Sequence, residues 1–535
     1  MAGAVVEHSS CQNRNGAAPE LTGVLRPALS AAELSSLLAN RLARSLSLSP
    51  SAIDLRKPLA EFGLDSLEAV RLTGELEEWV ERRLAPTLVW DYPTIEALAT
   101  YLAEGIDSTD GTDAPNGAES APVAPPAEIP PEHYRFELFP EYRALRERID
   151  EIERLGVANP FFQIHEGVAG STMTVDGREL SNFASYNYLG LSGHPLVAAA
   201  AKAAIDRYGT SVGASRLVSG EVPLHRELER TLADLIGAED CLTFVGGHAT
   251  NVTTIGHLFG PDDLILGDAL IHNSVQQGSI LSGATLRWFP HNDWQALDEL
   301  LTTVRRRYAR VLIVLEGVYS ADGDIPDLPR FVAVKRRHHA YLMVDEAHSL
   351  GVLGPRGGGI GEHFGVDPAD VDLWMGTLSK SIPSCGGFIA GSRHLIEYLA
   401  YTAPGFVFSI GMPPSNAAAA LAGIRLLAAE PERVARLRAR ADLFRTLARE
   451  RSLDTGLSIR GSAIVPIVVG DSTRCLRLAQ ELFERGINVR PMIYPAVAHD
   501  SARLRFFLAA THTEDQIRSA VTTVAEVVAT RPTST

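Results

Sequence analysis

The sequence predicts a multidomain protein: a small α-helical bundle, a flexible connector, and an α/β domain built on a mostly parallel sheet. Three observations predict it. The chain has 535 residues, more than a single core accommodates. Strand-like and helix-like patterns alternate from Phe161 to about Leu399, with apolar runs such as Val311-Leu312-Ile313-Val314-Leu315 and Leu342-Met343-Val344. That alternation belongs to buried parallel strands with helices on both faces. Upstream of it, residues 106–131 are rich in Ser, Gly, Ala and Pro, the composition of a linker.

Composition narrows the partners. Hydrophobic residues make up 45% of the chain and charged ones 21%, as in a soluble globular protein. A net charge of −16 argues against nucleic acid or an anionic membrane as the main partner. No apolar run approaches the roughly 18 residues that span a bilayer. The amino terminus lacks a basic region followed by an apolar one, so no secretory signal is expected. Cys11, Cys241, Cys385 and Cys475 have no metal-ligand spacing; a reduced, cytoplasmic protein without a structural metal is the expectation.

Taken in order, residues 1–27 are polar and aperiodic and are expected to be disordered. From Ser30 the pattern is helical. Ser30 is placed to cap Ala31-Ala32-Glu33, and Leu34, Leu37, Leu38, Leu42 and Leu46 recur at helical spacing. In Gly63-Leu64-Asp65-Ser66-Leu67, Ser66 sits where another helix should start, and taken alone it reads as an ordinary N-cap. The linker, a coil of ~25 residues, averages roughly 25–30 Å end to end and stretches to about 75 Å. Glu141–Leu155 reads as a helix. After Met412-Pro413-Pro414 one long Ala/Leu/Arg helix pattern runs to about Glu450, and a short mixed α/β segment ends the chain.

The chemistry concentrates in two stretches of the large domain. Leu342-Met343-Val344-Asp345-Glu346-Ala347-His348 is an apolar strand ending in an acid and a histidine, and Gly376-Thr377-Leu378-Ser379-Lys380-Ser381 holds a lone lysine among small residues. Ionisable groups at the carboxyl end of a strand lie where α/β folds bind ligands. Lysine forms Schiff bases, and burial tunes its pKa for that work. Acid, histidine and lysine in this order suggest a pyridoxal phosphate (PLP) site.

Two family resemblances extend this reading. Around Gly63-Leu64-Asp65-Ser66-Leu67 and Trp90-Asp91-Tyr92-Pro93-Thr94-Ile95, residues 28–105 resemble acyl carrier protein domains of polyketide assembly lines. The resemblance implies that Ser66 carries 4'-phosphopantetheine, whose thiol holds an acyl thioester, and that a phosphopantetheinyl transferase and an acyl-loading enzyme are partners. From about Pro160 to Ala529, within a domain expected over 132–535, the chain resembles the α-oxoamine synthases, PLP enzymes of fold type I that include serine palmitoyltransferase and 8-amino-7-oxononanoate synthase. The supporting motifs are Ser185-Tyr186-Asn187-Tyr188-Leu189-Gly190, Gly209-Thr210-Ser211-Val212-Gly213-Ala214-Ser215-Arg216, Glu316-Gly317-Val318-Tyr319-Ser320, Asp345-Glu346-Ala347-His348 and Thr377-Leu378-Ser379-Lys380. A large domain over about 185–410 is implied, with a small domain from about 415 that also takes in the segment before the large one.

By this resemblance Lys380 is the Schiff-base lysine and the base at Cα. Asp345 keeps the pyridine nitrogen protonated, and His348 lies against the phenolic oxygen. His272 stacks on the ring and polarises the acyl carbonyl. Gly247 and His248 meet the phosphate with backbone amides at a helix start, and Thr377 donates its hydroxyl to the same group. Ser320 approaches the ring, and Ser409 reaches the phosphate of a partner subunit in a homodimer. The family's carboxylate-binding arginine, followed by a threonine three positions on, is not reproduced: in Val489-Arg490-Pro491-Met492-Ile493-Tyr494-Pro495-Ala496 those two positions hold Ile493 and Ala496. Arg505 is the alternative, because strand alternation points Arg503 and Arg505 to one face and a guanidinium binds a carboxylate bidentately.

The implied reaction is a decarboxylative condensation of an amino acid with the acyl thioester on Ser66, giving an α-amino ketone, in secondary metabolism. An aminotransferase acting on a carrier-bound carbonyl uses the same lysine, aspartate and histidine and is the alternative. A large domain that only docks the carrier to other proteins is a third reading.

Overall fold

A computed structural model describes residues 30–45, 49 and 50, isolated positions between 53 and 94, residues 95–103, and residues 129–530 apart from Pro495 and His499. Ser66 and the segment expected to be disordered lie outside the described residues, as does most of the linker. By contacts the chain divides into two compact units, Met1–Ala114 and Pro115–Thr535.

In the first unit, Ser30 and Glu33 form a reciprocal cap. The Ser30 amide donates to Glu33 Oε2 at 2.8 Å and the Glu33 amide donates to Ser30 Oγ at 3.3 Å, which satisfies two donors left over at the start of helix Ala31–Ser45. That helix buries Leu34, Leu38 and Leu42 with Ile95, Leu98 and Leu102 of helix Ile95–Ala103. Leu37, expected on the apolar face, is instead partly exposed. It follows Leu34 by three residues but precedes Leu38 by one, so it falls at the edge of the apolar stripe. Thr94 Oγ1 accepts from the Ala97 amide at 3.2 Å, and an ion pair between Arg56 and Glu96 at 3.0 Å ties the last helix to the preceding segment.

The second unit opens with helix Pro140–Arg154, which covers the expected span but buries none of its residues. Strands β1 (Thr172–Val175) and β2 (Arg178–Asn182) then form a hairpin. The strand–helix alternation read from Phe161 therefore begins later, at helix Pro195–Tyr208. The reason is local: Asp176-Gly177 turns the chain with both residues at positive φ, so the apolar positions on either side pair as a two-stranded ribbon.

The central sheet contains β3 (Asp240–Phe244), β4 (Leu264–Asp268), β5 (Thr285–Phe289), β6 (Val311–Glu316), β7 (Tyr341–Asp345), β8 (Leu373–Thr377) and β9 (Gly387–Gly391). Their order is β3-β9-β8-β7-β6-β4-β5. Neighbours pair in parallel except at β9, which is antiparallel to both β3 and β8. Every residue of β4, β6, β8 and β9 is buried, as expected for strands covered on both faces.

The long helix pattern after Pro414 is two helices, Pro414–Ala429 and Glu432–Glu450. Pro431 interrupts it, because proline lacks the amide that a continuing helix needs and restricts the residue before it. The chain ends in a second antiparallel sheet. Its strands β10 (Ile464–Gly470), β12 (Arg490–Met492) and β13 (Ala502–Phe507) pair in the order β10-β13-β12, while β11 (Ile487–Asn488) joins β2. Helices Ser472–Glu484 and Glu514–Thr530 accompany that sheet.

Candidate active site

Four central strands end in polar groups at one edge: β4 in Asp268, β6 in Glu316, β7 in Asp345 and β8 in Thr377. Their apolar residues fill the core, so only the last position of each is free to carry chemistry. A cleft of about 180 Å³ opens there, lined by Gly247, His248, Asn251, His272, Ser274, Glu316, Asp345, His348, Thr377, Ser379 and Lys380 among others. Seven of the residues named from sequence (Lys380, Asp345, His348, His272, Gly247, His248 and Thr377) are thus brought together.

Lys380 lies in the return from β8 to β9. Its Nζ is 2.7 Å from His348 Nε2, whose Nδ1 is 2.8 Å from the hydroxyl of the fully buried Tyr188. Burial lowers the Lys380 pKa to about 8, against the opposing pull of Asp345 and Glu316. Burial and the charge of Lys380 also hold His348 well below the ordinary histidine value. Asp345 accepts from Asn251 Nδ2 at Oδ2 (2.9 Å) and from the Ala347 amide at Oδ1 (2.9 Å). These two donors fix the plane of its carboxylate.

His272 caps helix Asn273–Ser282 with its own ring. Nδ1 accepts from the Ser274 amide at 3.3 Å and lies 2.7 Å from Ser274 Oγ. The ring is open to the cleft, yet loss of hydration among its neighbours still lowers its pKa. Helix Gly247–Leu258 starts directly after β3 with Gly246 as its cap. A Cβ built at Gly247 would meet Thr377 Oγ1 at 2.8 Å, so only glycine leaves the amide at the helix start and the threonine hydroxyl facing one space.

Three residues named from sequence lie outside the cleft lining. Ser320 does not reach it with its side chain. Its amide donates to Glu316 Oε2 at 3.2 Å, and its carbonyl accepts from Arg505 Nη1 at 2.9 Å. Arg503 pairs with Asp322 on the same loop, so both arginines do share a face of β13. Arg505 Nε is buried without a partner. Its charge acts on Lys380, His272 and His348. Arg490 is turned away, donating to the Pro160 carbonyl. Ser409 follows the short helix Pro404–Val407, between the exposed Phe408 and Ile410.

The sequence reading missed Glu316, Asn251, Ser274 and Tyr188 as members of the site. Glu316 pairs in register with Asp345 across β6 and β7. Burial, and then the charge of Asp345, raise its pKa to about 8, and its Oε1 has no partner. The signal for Asn251 was its place four residues after Gly247, on the same helical face.

The donor set fits pyridoxal phosphate. An amine of lowered pKa, a carboxylate held by two donors, an imidazole and a glycine-lined helix start beside a hydroxyl are the groups that an aldehyde, a pyridine nitrogen, a phenol and a phosphate require. Among the described residues no cluster of side chains could hold a metal ion, and no helix is long and apolar enough to cross a membrane.

Comparison with known proteins agrees with this geometry. Residues 178–524 match the aminotransferase class I and II family, and residues 36–102 match the phosphopantetheine attachment site family. The chain is 43% identical over 364 residues to 8-amino-7-oxononanoate synthase from Geobacter sulfurreducens, covering 68% of this chain and 92% of that protein. It is 35% identical over 377 residues to the enzyme of the same name from Thermoanaerobacter pseudethanolicus, covering 70% and 94%. Among solved structures, Sphingomonas wittichii serine palmitoyltransferase superposes with a TM-score of 0.70 at 32% identity, over 73% of this chain and 98% of that one. The fold, the lysine–histidine–aspartate cleft and these similarities together show that the chain belongs to the PLP-dependent α-oxoamine synthases and carries a phosphopantetheine-attachment domain in the same polypeptide.

Proposed function

We propose that the protein condenses an amino acid with an acyl group held as a thioester on its own phosphopantetheine arm at Ser66, in secondary-metabolite assembly. The products are an α-amino ketone, CO2 and the free carrier thiol. One observation carries this reading: a carrier domain and an α-oxoamine synthase domain occur in one chain. A tethered donor meets the cleft at an effective concentration of order millimolar, which makes a diffusing thioester unnecessary.

When bound, pyridoxal phosphate supplies an electron sink for carbon–carbon bond making and for loss of CO2. The chain's residues do the rest. Lys380 Nζ would hold the cofactor and would serve as the base that takes the proton from Cα of the amino acid; a pKa near 8 suits both tasks. Asp345 pairs with the pyridine nitrogen and holds its proton there. His348 faces the phenolic oxygen, and Gly247, His248 and Thr377 hold the phosphate. His272 Nε2 donates to the acyl carbonyl oxygen, where negative charge develops. Arg505, whose charge already acts on Lys380 and His272, is the cation assigned to the amino-acid carboxylate. Ser320 contributes through its backbone, its carbonyl holding Arg505, and Ser409 serves the partner's phosphate in a homodimer. A phosphopantetheinyl transferase installs the arm, and a separate enzyme loads it.

The test is mass spectrometry of the holo-protein with a loaded arm. Loss of the acyl group from Ser66 that needs both PLP and an amino acid, with CO2 released, is expected. Acyl loss without PLP, or release of a 2-oxo acid in place of CO2, would overturn the reading.

A further inference from the structure

The cleft contains a hydrogen-bonded chain that links its acid to its carbonyl-facing histidine through two side chains with no assigned role. Asn251 Nδ2 donates one hydrogen to Asp345 Oδ2 at 2.9 Å and the other to Ser274 Oγ at 2.8 Å. Ser274 Oγ, already an acceptor, lies 2.7 Å from His272 Nδ1. The directions follow from valence. An amide nitrogen is donor only, so both its hydrogens are committed; the serine hydroxyl hydrogen is then free to point at Nδ1. The Ser274 backbone amide also points at Nδ1, at 3.3 Å. Two donors aimed at one ring nitrogen leave it unprotonated, and a neutral ring must then carry its hydrogen on Nε2. Asn251 and Ser274 are both essentially fully buried, so water does not compete for these bonds.

From this geometry we infer that Asn251 and Ser274 are positioning residues: they fix His272 as an Nε2–H donor and tie its orientation to that of Asp345. The inference rests on the proposed role of His272 at the acyl carbonyl. The bland alternative is that the same bonds merely cap helix Asn273–Ser282 and pin it to helix Gly247–Leu258. The two differ in what they predict for the ring. Hydrogen bonds to the neutral form disfavour protonation, so weakening them raises the His272 pKa, whereas a purely structural link leaves its titration alone. The charged or titratable groups acting on His272 are Asp345, Lys380, His248 and Arg505, and none of them is altered by changing the serine.

The experiment uses full-length protein with Ser274→Ala, Ser274→Thr and Asn251→Ala. Each is titrated by 15N-histidine NMR without cofactor, with the His272 signal assigned by its absence in His272→Ala, and each is then assayed with PLP. In Ser274→Ala the His272 pKa is expected to rise by about half a unit or more. The kcat falls about tenfold with KM values within about twofold, the pattern of an interaction made only in the transition state. Ser274→Thr restores both readouts, and Asn251→Ala moves the titration in the same direction. An unmoved His272 titration in folded Ser274→Ala and Asn251→Ala protein would overturn the inference, as would failure of Ser274→Thr to restore it. Because the titration needs no cofactor, failure of the condensation in every protein, including the unaltered one, would count against the proposed reaction and not against this coupling.

Discussion

At the scale of single residues, the proposed attachment of the cofactor at Lys380 sets when the protein can take it up. Only the free amine attacks an aldehyde, and burial has brought the Lys380 pKa down to about 8. The rate at which cofactor-free protein captures PLP is therefore expected to rise about tenfold per pH unit below 8 and to level off above it. Stopped-flow absorbance across pH 6–10 reads this directly, and a profile still climbing steeply at pH 10 would show a lysine of ordinary pKa. In the proposed reaction His272 acts later, at the acyl carbonyl. Removing one donor to a developing oxyanion costs about 100- to 1,000-fold in kcat. His272→Ala should show a loss of that order while cofactor binding, measured by absorbance, is retained. Lys380 stands out in the sequence because a lone charge among small residues after an apolar strand is unusual, whereas His272 is named only by the family resemblance. Glu316 carries no such signal, since its significance lies in its register partner, Asp345, on the next strand. A pairing across strands cannot be read from one segment alone.

At the scale of elements, the loops that leave the sheet are held by buried ion pairs. His291 bridges Asp268 at the end of β4 (2.7 Å) and Asp324 in the loop after β6 (2.8 Å). Burial alone would lower its pKa, but the bonds to the two carboxylates overcome this and raise it to about 10. The raised value means that folding stabilises the charged ring. That contribution is complete below the unfolded value near 6.5 and is lost as pH rises through about 10. His291→Asn is accordingly expected to lower Tm by roughly 5 °C at pH 6, with the gap to the unaltered protein narrowing by pH 10; an equal gap at both pH values would show that the charge is not involved. Elements with strong local signals were legible in advance: the capped helix after Ser30, the apolar strands β6 and β7, and the glycine turn into helix Gly247–Leu258. The β1–β2 hairpin and the break at Pro431 were not, because a long apolar pattern outweighed a two-residue turn in one case and a single proline in the other. Arg505 was legible by alternation. Its bond to the Ser320 carbonyl depends on the packing of β13 against a loop far away in sequence and was not.

At the scale of the whole molecule, the carrier and catalytic domains share one chain, and under the proposed function the supply of acyl groups becomes a property of the polypeptide. Ser66→Ala is expected to abolish product formation from self-loaded protein while leaving PLP absorbance and Tm unchanged. Activity should return with an acyl thioester on a separate carrier, at concentrations of about a millimolar. Full activity at micromolar free thioester would show that tethering confers no advantage. The reversed strand β9 has a consequence of its own. Because it runs back alongside β8, the chain needs no helical crossover at this point, and Lys380 sits on a short span clamped at its base, where the Leu378 amide meets the Gly386 carbonyl at 2.9 Å and the Ser384 amide meets the Leu378 carbonyl at 2.8 Å. A backbone so tightly anchored has little room to swing. In the proposed reaction, letting go of the cofactor and reclaiming it would then fall to torsions of the lysine's own methylene chain, a motion of a few bonds on a stationary mount.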